Sequence, residues 1–320
     1  MLILHQCDKI LILIIDNPKG ELKLKKALIL VNPYSGLISA VNQPIRLREE
    51  LNKLGVDVDI KPNSIDTAMI INGNAVSFIQ GYDFVIYLDK DKYTSAMLEK
   101  TGIRLFNRHE AIRVCDDKMD THIRLAGCGI KMPDTIAGLL CYNEEASVQE
   151  VSTRINLIED RLGYPCIIKE CYGSLGAKVY CANNREELLV LMEKVKLKAH
   201  LFQKMITTSR GRDVRVIVIG GKAVCGMRRT SKTDFRSNIE LGGTGEPIEL
   251  PESFREVSEK VADTLELDYC GIDLLYGEND EPIVCEVNSN AFFRAMESVT
   301  GVNVAEKYAK YMYETVYGVS

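Results

Sequence analysis

Residues 270–290, CGIDLLYGENDEPIVCEVNSN, constrain the fold more than any other stretch. GIDLLY and PIVCEV are apolar and partly β-branched, with turn residues between them, so they read as two antiparallel strands. If Gly277 opposes Pro282 around a four-residue loop, Asp273 opposes Glu286. Opposed side chains in such a pair sit about 4.5–5.5 Å apart at Cβ, and like charges there repel. Asn288 lies two residues beyond Glu286 and shares its face. A hard cation such as Mg²⁺, which takes carboxylate and amide oxygens, would relieve the repulsion. An exposed hairpin in a shifted register is the alternative.

Around this hairpin the 320 residues suffice for two or three domains. A net charge of −5 argues against a broad nucleic-acid surface and leaves room for a local phosphate pocket. Ten cysteines without a CxxC pair, several inside apolar runs, suit reduced buried thiols and a cytoplasmic location. Four histidines form no HxxxH pattern, so a histidine-built zinc site is not expected. The apolar run at residues 10–15 is too short to span a bilayer and has no convincing cleavage site after it. Residues 1–26 are read as a hairpin strand turning at DNPKG, or as an extension foreign to the core.

Strands expected at 26–31, 56–60, 84–88 and 103–106 alternate with helices at 44–54 and 94–100. The pattern predicts a parallel sheet covered on both faces, in an α/β unit over about 27–112. Asp89 and Asp91 follow a strand at its C-terminal end, where such sheets bind ligands, although exposed loop charges read the same way. Asn107 and Glu110 match a capping box, and Lys118 opens a second helical stretch. YPCIIKEC, from 164, ends an apolar strand with Lys169 beside the loop YGSLGAK. There Gly173 and Gly176 allow close backbone approach to phosphate oxygens, or form an ordinary turn. HLFQKMI, from 200, reads as a further strand. DVRVIVIG pairs with KAVCGMRR across Gly220–Gly221, which makes Asp213, Arg215 and Arg228 candidate site charges or a salt-bridged strand pair. Arg236 and Asn238 lie in a glycine-rich loop within reach of phosphate.

In order, CDDK, PCIIKE, GSLG, FQKMI, GRDVRVIVIGG, RR, DFRSN, LGG, CGIDLL and CEVNSN resemble the ATP-grasp ligases of the RimK-like branch, which includes ribosomal-protein glutamate ligases and amino-acid ligases of the LysX type. The resemblance covers about 27–316. It implies an α/β (α+β) ATP-grasp fold, with an N-terminal parallel-sheet domain (27–112) and two α+β subdomains (113–200 and 201–320) clamping ATP. It implies that Lys118 and Lys169 contact ATP phosphates and that Gly173, Ser174 and Gly176 belong to a closing loop. Gln203, Lys204, Met205 and Ile206 would line the adenine, Asp213 the ribose, and Arg236 and Asn238 the phosphates. Asp273, Glu286 and Asn288 match the family's Mg²⁺ ligands, with Mn²⁺ a possible substitute. Asn290 and Ala291 stand where the family commonly has Ser-Pro, and Lys204 where it commonly has Glu.

The implied reaction joins a carboxylate to an amine through an acyl-phosphate, with Arg215 and Arg228 stabilising developing charge. Glutamate or another amino acid is the expected amine. The carboxylate is expected on a small molecule, a peptide or a protein. No nucleic-acid or membrane partner is expected, and a homo-oligomer is. A nucleotide-binding regulatory module that has lost turnover is the competing reading. A kinase leaving a stable phosphoproduct is a third.

Overall fold

The computed structural model describes residues 24–36, 38–148, 152–173 and 176–318. The expected hairpin or extension before residue 24, and Ser174, lie outside the described residues. Among the described residues no helix is long and apolar enough to cross a membrane.

Three main sheets carry the chain. The first contains β1 (Lys26–Val31), β2 (Asp57–Pro62), β5 (Phe84–Leu88) and β6 (Leu105–Phe106) in the order β2-β1-β5-β6. All its pairings are parallel. KALILV reads as continuously apolar because both faces of β1 are covered. Ala27 and Ile29 pack against Leu47 and Leu51 of α1 (Ile38–Lys53) and Tyr308, Ala309 and Met312 of α8 (Val304–Tyr317). Leu28 and Leu30 face Leu98 of α2 (Lys92–Lys100) and Ile112 of α3 (His109–Asp116). Strand order reverses between β1 and β5, so a crevice opens beyond their C-terminal ends. A small hairpin, β3 (Ala68–Ile71) with β4 (Asn74–Ser77), has no counterpart in the sequence reading.

After α4 (Lys118–Leu125), the second sheet is antiparallel: β7 (Thr135–Ala137), β8 (Cys166–Glu170), β9 (Val179–Ala182) and β10 (His200–Lys204), ordered β7-β10-β8-β9. Cys166, Ile168 and Phe202 pack on α5 (Ser152–Leu162) and α6 (Arg185–Val195). The opposite face carries Ile167, Lys169 and Gln203. Because β10 pairs with β8, residues 201–204 belong to this sheet and not to the one that follows.

The third sheet, also antiparallel, is β13-β12-β11-β14-β15, from β11 (Arg212–Ile219), β12 (Lys222–Thr230), β13 (Thr244–Ile248), β14 (Tyr269–Tyr276) and β15 (Pro282–Asn288). Val214, Val216, Ile272 and Leu274 pack against Phe254 and Val261 of α7 (Glu252–Thr264). Alternation sends Asp213, Arg215 and Asp273 to the other face.

Two local expectations are corrected. The first helix begins at Ile38, not at Pro44, so Pro44 lies inside it and leaves the Ala40 carbonyl without its usual donor. Asn107 does not cap α3; the N-cap position is Arg108, which makes no capping bond, and the His109 N–H donates to Glu99 Oε1 at 2.8 Å. The buried Asn107 amide instead donates to the carbonyls of Tyr269 and Ser289 at 2.8 and 2.6 Å and accepts from the Tyr269 N–H. Tertiary pairing thus outcompetes a local cap.

Candidate active site

The polar face of the third sheet begins with register. Arg215 pairs with Asp273 across β11 and β14, and Asp213 with Arg229 across β11 and β12. Nε and Nη2 of Arg215 each donate to an Asp273 carboxylate oxygen at 2.7 Å. Arg229 reaches the same carboxylate at 3.0 Å and makes a second fork to Asp213 at 2.7 and 2.5 Å. The result is a buried charge chain, Arg215–Asp273–Arg229–Asp213. Burial alone would raise the Asp273 carboxyl. The two guanidinium groups outweigh it and hold the carboxyl well below the usual carboxylate range.

Arg228 is not part of this chain, contrary to expectation. Counting back from the Gly220–Gly221 turn without interruption places Arg228 opposite Asp213. A bulge puts an extra residue, Val224, between the partners of Ile217 and Val218 and moves Arg229 there instead. Arg228 lies on the other face, half exposed, donating to Glu246 at 3.0 Å and the Tyr276 hydroxyl at 3.3 Å.

In the opening hairpin Asp273 does oppose Glu286, although the loop differs from the expected one. Tyr276, not Gly277, pairs with Pro282, and a bulge at Cys285 restores the register one step later. The bulge turns Cys285 and Glu286 toward the same side. The Cys285 thiol lies 3.5 Å from the Lys169 ammonium; burial raises its pKa, with Lys169 opposing. Glu286 lies 3.6 Å from Lys118, whose ammonium also donates to the Gly173 carbonyl at 2.7 Å.

Two cavities meet here. The smaller, about 100 Å³, lies between the second and third sheets. Lys169, Gly176 and residues 203–206 form one wall; Asp213, Arg229, Arg236 and Asp273 form the other. The larger, about 490 Å³, opens at the crevice of the first sheet and is lined by Asn32, Lys90, Arg215, Asn288 and Asn290. Glu286 and Asn238 line both. Gly176 has φ +71°, and a Cβ there would sit 3.0 Å from the Asn238 Oδ1. Arg236 ties this segment down, donating to the Gly176 carbonyl at 2.6 Å while forked on Asp234.

Of the candidate site residues singled out from sequence, the described ones other than Arg228 and Asp91 fall in or against this double cavity. Lys118 and Gly173 stand just behind its walls. Asp89 and Asp91 are structural: Asp89 accepts from Asn32 and Asn63 at 2.8 and 2.9 Å, and Asp91 caps α2. The sequence offers Arg229, with Arg228 and Arg236, only as a positive residue suited to an acidic donor; the Val224 bulge is what brings it into line with Asp213. Gln43 was missed because it lies before the expected helix start. It is buried and reaches toward Asn290 Oδ1 and the Ala291 carbonyl at 3.4 Å each.

Asp273, Glu286 and Asn288 offer two opposed carboxylates and an amide oxygen, a donor set that fits a hard divalent cation. Here Arg215, Arg229 and Lys118 supply the compensating charge. Among the described residues no trio of His, Cys, Asp and Glu side chains gathers as a metal site, and a set with an amide as third member is not such a trio.

A family model for the RimK-like ATP-grasp domain matches residues 115–312. The chain is 37% identical over 226 residues to beta-citrylglutamate synthase B of Homo sapiens, covering 70% of this chain and 56% of that protein. It is 30% identical over 311 residues to the glutamate–LysW ligase ArgX of Sulfurisphaera tokodaii, covering 95% of this chain and 98% of that protein. The chain thus spans about half the length of the synthases it matches. Among solved structures, D-alanine–D-alanine ligase from Bacillus anthracis complexed with ATP is similar with a TM-score of 0.69 and 19% identity, over 91% of this chain and 97% of that one.

Proposed function

The chain belongs to the RimK-like ATP-grasp family, and from that premise we propose that it is an ADP-forming carboxylate–amine ligase. The observation that carries the proposal is the pair of cavities sharing Glu286 and Asn238. One compartment is narrow and lined by Lys169, Asp213 and Arg236, as a nucleotide site requires. The other is roomy, rich in side-chain amides, and suited to the molecules being joined.

In the proposed reaction a substrate carboxylate oxygen attacks the γ-phosphorus of ATP. The bond to the β,γ-bridging oxygen breaks, and ADP leaves with an acyl-phosphate formed. An amine then attacks the acyl carbon, phosphate departs, and the amine loses a proton. Lys118 and Lys169 neutralise phosphate charge, and Arg215, which lines the larger compartment, faces the oxygens that gain charge. Asp273, Glu286 and Asn288 would hold Mg²⁺, which supplies charge neutralisation at the phosphates. Residues 173–176 and the loop holding Arg236 and Asn238 would shield the acyl-phosphate from water. We read 27–112, 113–200 extended through the rest of β10 to Lys204, and the remainder to 320 as the units that contribute to this clamp.

Glutamate is the favoured amine, because beta-citrylglutamate synthase B and the glutamate–LysW ligase both carry it in their names. The acceptor is a small molecule, a peptide or a protein carboxylate. Glu286→Gln tests the assignment: amine-dependent ADP formation should fall at least about a hundredfold, as when a transition-state charge contact is removed. Full activity in that variant would sink it.

A further inference from the structure

Behind the wall of the smaller cavity is a hydrogen-bond chain that no step above uses. Gln203 is buried and lines the cavity; His122 and Thr135 stand behind it. The Thr135 hydroxyl donates to the Pro133 carbonyl at 2.8 Å, so toward Gln203, 2.9 Å away, it can only accept. The Nδ1 of His122 lies 3.1 Å from the Met132 thioether, which carries no proton, so Nδ1 holds the ring's hydrogen. Its Nε2, 3.0 Å from the Gln203 amide nitrogen, is then an acceptor too. Burial, with Lys169 adding to it, keeps the imidazole neutral and Nε2 free to accept. Two acceptors consume both amide hydrogens of Gln203. Its Oε1 has no protein partner among the described residues and is not sealed from the cavity.

We propose that His122 and Thr135 are positioning residues that lock the Gln203 amide with its oxygen toward the cavity, so that the cavity selects a base bearing an exocyclic amino group over a 6-oxo base. A freely rotating glutamine would offer either end and would not discriminate. This one presents only an acceptor, which a 6-amino group satisfies and a 6-oxo group repels. The inference rests on reading the smaller cavity as the nucleotide site.

The test is the affinity of the full chain for ATP and for inosine triphosphate, measured calorimetrically with Mg²⁺. The two nucleotides differ only at the 6-position and N1. The wild type should prefer ATP by about tenfold or more, the value of one hydrogen bond against one repulsive contact. Thr135→Val, nearly isosteric, should lower the ratio several-fold. His122→Leu with Thr135→Val should bring it near unity while ATP still binds. In the Thr135 wild-type background His122→Gln, whose side-chain oxygen can accept from Gln203, should keep more of the preference than His122→Leu, which cannot accept. Equal affinities in the wild type, an unchanged ratio in Thr135→Val, or a proportional loss for both nucleotides would overturn the proposal and leave the ligase reading intact. Failure of the wild type to bind either nucleotide would overturn both.

Discussion

Arg228 and Arg229 are neighbours bearing the same group, yet only Arg229 reaches the paired carboxylates. It is fully buried between Asp213 and Asp273. Arg229→Met would leave Asp213 without its fork and should destabilise the chain by about 3–5 kcal/mol, read from urea unfolding. Arg228→Met removes a half-exposed pair and should cost about 1 kcal/mol or less. His122 makes a second prediction at this scale. Burial lowers its pKa from 6.5 to about 4. The unfolded chain therefore takes a proton below about pH 6.5 that the folded chain refuses until about pH 4. The histidine's contribution is complete above pH 6.5 and declines as pH falls toward 4, by about 3 kcal/mol in all. In His122→Gln the fall in stability between those pH values should be smaller by that order, and an unchanged slope would count against a neutral His122. Residue types at the site were mostly legible, because carboxylates, lysines and glycine loops stand out against apolar strands. The exceptions were residues whose direction depends on a neighbour's geometry.

Strand elements show where legibility stopped. KALILV and FVIYL were readable to the residue, since a strand covered on both faces has no polar positions to blur it. The pairing of Asp273 with Glu286 was also anticipated, but through a loop one residue too short and a strand one residue too regular. The two deviations cancel at Asp273. No equivalent compensation occurs between β11 and β12, so the expected Arg228 gave way to Arg229. A bulge is one inserted residue without a composition of its own, and period-two counting cannot detect it. Deleting Cys285 should therefore keep Leu274 opposite Val284 and Asp273 opposite Glu286 while removing the local twist. The variant should fold, with a circular-dichroism spectrum like the parent's, yet lose at least about tenfold in ADP formation because Glu286 is re-aimed. Undiminished turnover would show that the bulge does not set the direction of Glu286.

For the molecule as a whole, the sequence order of the three sheets was apparent, and the way the chain closes on itself was not. Tyr308, Ala309 and Met312 of the last helix complete the core under Ala27 and Ile29 of the first strand. Lys25 reaches the Tyr313 hydroxyl at 2.5 Å, and Arg46 of α1 reaches Asn303 at 3.0 Å. Amphipathic spacing shows that a helix has a buried face and says nothing about which sheet receives it. A fragment ending at residue 112 should accordingly show no cooperative unfolding transition, whereas adding residues 291–318 in trans should restore one. Synthesis runs in one direction, and this closure joins a strand made early to a helix made much later. At about 5–20 residues per second, the first sheet waits roughly 10–40 s on the ribosome for the helix that covers it. During that interval one face of KALILV is without its native cover, leaving on the nascent chain an apolar strip that its finished form hides.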